Sequence, residues 1–300
     1  MSGKSVQGGG NHQRILSQSD SPRIKNMIKK LIVFLICILP VSAEKLAEWD
    51  GVSAEKTVDG NIFLSMQEKK TGTELFKEEY FHDFTSSFYT NGSRKYFVIT
   101  YFSGGESGCC NVLKFFYMKS GHLKTLSLEN SVYAEPSIVD LDGDKKEEIR
   151  TDSELFYGLK LTGRKNTCTV TEPAYQGMGK IRFPEYSVIE ESSPESRIKE
   201  VTFHKKYYEY LKPYFKEAEK FLSENRKKTI NDDDNETAGL LQYLHYKQRI
   251  GEGREAEKNI ENADLSIQYS CENDFGKKTE MKEKLHEFIR KNRKFLRIGK

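Results

Sequence analysis

Residues 96–102 read Tyr-Phe-Val-Ile-Thr-Tyr-Phe, and residues 112–118 read Val-Leu-Lys-Phe-Phe-Tyr-Met. Such dense aromatic and β-branched runs predict strands. The second run and residues 123–128 flank Ser120-Gly121, a hairpin turn signal. Working outward, residues 62–66 follow the turn signal Asp59-Gly60-Asn61, and short candidate strands recur at 137–139, 148–150, 155–161 and 168–171. Many short strands at close spacing predict an antiparallel β-rich domain over residues 44–190, either a sandwich or propeller-blade-like. The aromatic wealth of this half reads as core.

Residues 191–198, Glu-Ser-Ser-Pro-Glu-Ser-Arg-Ile, read as a linker, and the pattern then turns helical over 199–300. Pro213 is expected to open a helix running through Tyr214-Phe215, Ala218 and Phe221-Leu222. Leu240, Leu241 and Leu244 predict a second helix, started near Asp232-Asp233-Asp234, where negative charge suits the positive dipole end. Gly251-Glu252-Gly253 breaks it, and Ala256, Ile260 and Ala263 resume at helical spacing as the second half of a helix–turn–helix pair. Met281, Leu285, Phe288 and Ile289 predict a last helix. The fold class expected is α+β: a β-rich N-terminal domain followed by an α-helical C-terminal domain.

The chain has 300 residues, 48 Lys and Arg against 45 Asp and Glu, and a net charge of +3. So balanced a charge argues against a nucleic-acid binder, which carries a strong basic excess. Residues 27–43 have the layout of a secretory signal peptide: Lys29 and Lys30, an apolar core over 31–39, Pro40, then Val41 and Ala43 at the −3 and −1 positions. The apolar core is too short to span a bilayer, so cleavage after Ala43 is expected and no transmembrane segment after it. Residues 1–26 read as a disordered or non-native extension. Residues 1–43 hold six of the basic residues and one of the acidic ones, which leaves 42 against 44 from Glu44 onward. The expected location is periplasmic or secreted.

Four cysteines follow the signal: Cys109, Cys110, Cys168 and Cys271. An even number in an exported chain predicts two disulfides. A bond between adjacent cysteines needs a strained ring. The expectation is therefore that Cys109 and Cys110 pair one with Cys168 and the other with Cys271, in either order.

The strongest chemical signal lies at 138–149, Ile-Val-Asp-Leu-Asp-Gly-Asp-Lys-Lys-Glu-Glu-Ile. Asp140, Asp142, Asp144 and Glu148 stand at positions 1, 3, 5 and 9 of a tight loop, with the Lys146 carbonyl at position 7. Hard oxygen ligands at that density suit Ca²⁺, and carboxylates held together without a cation would repel. An EF-hand fits poorly: position 6 is Lys145 instead of Gly, and position 12 is Thr151 instead of Glu. The segment resembles the calcium loop of FG-GAP/VCBS-type repeats, in which Asp-x-Asp-Gly-Asp-x-x-x-Asp/Glu joins two strands; Asp140, Asp142, Gly143, Asp144 and Glu148 match it. The resemblance covers about 30 residues, in one copy, and implies a calcium-stabilised β-hairpin in an exported protein of a kind often found at the cell surface or binding ligands. The calcium expected is structural and weakly held, on the order of 10⁻⁴–10⁻³ M.

Other signals are weaker. Gly105-Glu106-Ser107-Gly108-Cys109 misses a nucleophile elbow at its last position. Cys109 or Cys110 with His122 as base would give a thiol hydrolase, but export favours disulfides. Residues 275–300 carry ten Lys and Arg against three Glu, a basic helix suited to an acidic surface or to ordinary packing. Together these readings describe an exported, non-enzymatic protein, a binding or interaction module with an unknown protein or envelope partner. The rival reading is an envelope hydrolase with no legible local motif.

Overall fold

The chain opens with four strands joined by tight turns, β1 (Ser42–Trp49), β2 (Val52–Asp59), β3 (Asn61–Glu68) and β4 (Glu74–Tyr80), in that order across one antiparallel sheet. A second sheet repeats the pattern with β5 (Phe84–Asn91), β6 (Arg94–Phe102), β7 (Asn111–Lys119) and β8 (His122–Asn130). These come from a computed structural model that describes residues 42–92, 94–103, 111–130, 136–163, 165–173, 179–191, 195–231 and 235–297.

The second sheet is buried on both faces. Phe97, Ile99 and Phe116 pack with Trp49, Leu64, Met66 and Tyr80 of the first sheet. Their neighbours Tyr96, Val98, Phe115 and Tyr117 point the other way and meet Ile149 and Ile189 of the third. Because successive side chains alternate between faces, an unbroken apolar run is what a doubly covered strand requires.

The third sheet holds β9 (Ser137–Val139) and β10 (Glu148–Asp152), a hairpin closed by the acidic loop. After β11 (Lys160–Thr162) and β12 (Asn166–Thr169), which belong elsewhere, β13 (Pro184–Glu190) and β14 (Arg197–Glu200) complete it in the order β14-β13-β10-β9. A 3-10 turn at Lys205–Tyr207 leads into α1 (Tyr208–Glu224). There follow β15 (Thr229–Asn231), α2 (Glu236–Arg249), α3 (Gly253–Ala263), β16 (Ser266–Asn273), β17 (Lys278–Lys284) and α4 (Leu285–Asn292). One edge of β16 takes β15 in parallel and then β12 antiparallel, and β17 lies on the other edge. The largest core lies here, where Tyr186 and Val201 of the third-sheet region meet residues of all four helices described.

The architecture is α+β: mostly antiparallel sheet through residue 200, then helices mixed with strands. Four expectations need correction. The C-terminal region is not purely helical. In β16, Ile267, Tyr269 and Cys271 are buried and alternate with the half-buried Gln268 and Ser270, a strand period rather than a helical one. Met281 stands in β17 and is 42% exposed, so α4 starts only at Leu285, and its Leu285, Phe288 and Ile289 are buried. Pro213 does not open a helix; α1 starts five residues earlier, out of the 3-10 turn. Arg197 and Ile198, expected at the end of a linker, stand in β14 and pair with β13, while 192–194 lie outside the described residues. In addition, 155–158 is turn, and only 160–162 is strand.

The disulfide connectivity is also corrected. Cys168 and Cys271 face each other on neighbouring antiparallel strands and are bonded to one another. That register brings the two thiols together without help from Cys109 or Cys110, which lie outside the described residues, as do the signal segment through residue 41, Ser107 and Asp232–234. Among the described residues no helix is long and apolar enough to cross a membrane.

Candidate metal centre

Asp140 follows β9 and Glu148 opens β10, so the hairpin register fixes both ends of the loop: Val139 sits opposite Glu148. Between them the carboxylates fold their own backbone. Asp140 accepts from the Gly143 N–H at 2.9 Å and the Lys145 N–H at 3.1 Å, Asp142 from Asp144 at 3.2 Å, and Asp144 from Lys146 at 2.8 Å. Short acidic side chains favour such local turns. Gly143 takes a left-handed step, φ 74°, which costs glycine no steric clash.

The result is convergence. Asp140, Asp142 and Glu148 each place a carboxylate oxygen within 4.8 Å of the others, an acidic group that could hold a metal. Asp140 and Asp142 are at the surface, while Glu148 is 1% exposed. Asp144 is not in this trio. Lys146 is exposed and contributes its N–H to Asp144. Of the five residues expected from the sequence, the structure thus brings three carboxylates to one point, with Asp144 and Lys146 on the loop beside them.

Two further residues enter from the 3-10 turn that leads into α1. The Lys206 ammonium lies 2.6 Å from Asp142, 3.7 Å from Glu148 and 3.8 Å from Asp144. Its hydrogen bond holds the Asp142 carboxyl below the usual carboxylate range. Partial burial works against the lysine's own charge, but the bonds to Asp142 and Tyr207 raise its pKa overall. The Tyr207 hydroxyl donates to Glu148 at 2.6 Å, and the other Glu148 oxygen accepts from the Leu141 N–H at 3.0 Å. Burial, then the Glu148 carboxylate, pushes the Tyr207 phenol up. On the opposite side, Glu147 exchanges two hydrogen bonds with the Thr90 backbone in β5. The loop is therefore tied to the second sheet and to the start of the helical region at once.

Chemically this is a point where positive charge is stabilised by several oxygens. A divalent ion with oxygen ligands would meet the same donors, provided the Lys206 ammonium swings aside on its flexible stem. That side chain is 46% exposed and free to reach solvent. Sequence reasoning missed Lys206 and Tyr207, which lie about sixty residues downstream, where no local spacing ties them to the loop.

Among the described residues the histidines form no such group: His82, His122 and His204 are exposed, while His245 and His286 are half-buried and separate. Comparisons of the chain with protein-family models, with curated proteins and with solved structures find no match.

Proposed function

We propose that the chain is an exported, non-catalytic interaction protein in which one structural Ca²⁺, held by Asp140, Asp142 and Glu148 with help from Asp144 and the Lys146 carbonyl, braces the loop joining β9 to β10. The observation that carries this reading is the convergence of three carboxylates around a point already chosen by an ammonium group. Uncompensated, those charges would repel. Calcium there would clamp β10, the second sheet and the entry to α1 together through Glu148, Glu147 and Tyr207.

The likeness to FG-GAP/VCBS-type repeats gains support from the setting. Three four-stranded antiparallel sheets follow one another face to face, as blades do, and the acidic loop joins the first two strands of the third. Export is supported by the signal-like segment 27–43 and by the Cys168–Cys271 disulfide, which suits an oxidising compartment.

Thermal unfolding against calcium tests the reading. A ligand at tenfold excess over its dissociation constant stabilises by about 1.4 kcal/mol, a rise of a few degrees for a chain of this size. The rise is expected for the parent and absent in Asp140→Ala. An unchanged midpoint in millimolar calcium contradicts the assignment.

A further inference from the structure

Glu148, Arg150 and Asp152 are alternate residues of β10 and so share one face of its sheet. Glu148 serves the acidic loop. The other two open into a separate polar cleft of about 250 Å³, walled by Lys180 and Arg182 ahead of β13 and by Tyr214 and Glu217 of α1.

The charges of this cleft are incompletely paired. Arg182 reaches Asp152 only at 3.7 Å. Arg150 lies over the Tyr214 ring, 5.9 Å from its centre, and neither Arg150 nor Lys180 makes an ion pair among the described residues. Three cations thus line one cavity with two carboxylates, Asp152 and Glu217, and Ser137, paired with Arg150 across the hairpin, adds a hydroxyl beside them. That is more donor capacity than the two oxygens of a carboxylate accept, and it suits a tetrahedral oxyanion gripped by arginine forks and a lysine point charge. Asp152 narrows the choice further. Its side chain is 11% exposed, and an ionised carboxylate only accepts hydrogen bonds. A bare dianion such as sulfate meets repulsion there, whereas a phosphate that keeps one proton has a hydrogen to donate. Burial also holds the Asp152 carboxyl above its ordinary pKa, which makes it a better proton acceptor.

We propose that this cleft binds a phosphate group, free or as the phosphomonoester of a small molecule, with Arg150, Lys180 and Arg182 on its oxygens and its P–OH donating to Asp152. The site uses none of the calcium ligands, and its test is run both with calcium and with a chelator, so that loss of binding in chelator alone is separated from absence of the site.

The test is calorimetric titration of the purified protein at pH 6, where about half of a phosphomonoester keeps that proton. The probes are inorganic phosphate, glycerol 3-phosphate and sulfate. Saturable binding of phosphate or its ester is expected, with sulfate weaker by at least about tenfold. Equal binding of the two phosphates assigns the free ion, and tighter binding of the ester assigns an organic phosphate. The double substitution Lys180→Ser/Arg182→Ser, at two exposed side chains, should weaken phosphate by at least about tenfold, the loss expected for charge-assisted hydrogen bonds. Asp152→Asn, which replaces an acceptor with a possible donor, should shrink the gap between phosphate and sulfate. No saturable binding of either phosphate, equal affinity for phosphate and sulfate in the parent, or undiminished binding in the double variant overturns the proposal.

Discussion

Glu148 holds a carboxylate where 1% of the residue meets solvent, and each of its oxygens has a fixed donor, Tyr207 on one side and Leu141 on the other. Replacing it with alanine strands both donors in a buried place, which predicts a loss of about 2–4 kcal/mol in urea unfolding. Tyr207→Phe removes one hydrogen bond and leaves the other, so a loss of about 1–2 kcal/mol is expected in the same measurement. Lys206 predicts an effect of opposite sign. As a tethered cation it competes with calcium, so Lys206→Gln should lower the calcium concentration at half-saturation while Asp140→Ala raises it or abolishes binding; equal half-saturation in Lys206→Gln and parent would show that the ammonium does not compete. Asp140, Asp142 and Glu148 were legible from the sequence because they lie within nine residues of one turning loop; spacing overreached at Asp144, which stands outside the trio. Lys206 and Tyr207 were not legible, because only the folding of α1 against the third sheet brings them there.

Among the elements, α2 is buried nearly all round and its packing turns on Gly239. A Cβ at that position would stand 2.5 Å from the Ile181 carbonyl oxygen and 2.6 Å from the Ile181 Cβ, both closer than real contacts allow. Gly239→Ala should therefore cost about 1–3 kcal/mol through overpacking, despite alanine's better helix propensity; a variant as stable as the parent would mean that this helix is free to shift. The Cys168–Cys271 bond joins residues 103 apart in the chain. Its reduction should destabilise by about 2–4 kcal/mol, seen as a lower melting temperature with reductant that is absent in Cys168→Ser/Cys271→Ser. The element most misread from sequence was β17. Lys278–Lys284 has an exposed edge rich in charge, so no apolar face announces a strand, and Met281 happens to stand at helical spacing from Leu285 and Phe288. Pairing with β16 along seven residues decides its conformation, which no propensity could show. The central strands were legible for the converse reason: a run such as 96–102, apolar on both alternating faces, fits few places except a sheet covered on each side.

At the scale of the molecule, the sheets and helices meet around β10, one of whose faces carries an acidic loop residue, an arginine and an aspartate in succession. Calcium at the loop would brace the hairpin against the second sheet and against α1, so its removal is expected to loosen this junction more than the first sheet, which among the described residues shares no hydrogen bond or ion pair with the ligands. Hydrogen exchange should then show faster amides at Leu141, Gly143 and Lys145 in chelator, with β2 and β3 unchanged; uniform protection in both conditions would deny the loop a bracing role. The most direct measurement is equilibrium dialysis of the purified protein against calcium at millimolar concentration. One ion per chain, lost in Asp140→Ala and in Asp142→Ala, is the result expected. No calcium retained above the dialysis buffer, or retention untouched by both substitutions, would contradict the metal centre outright.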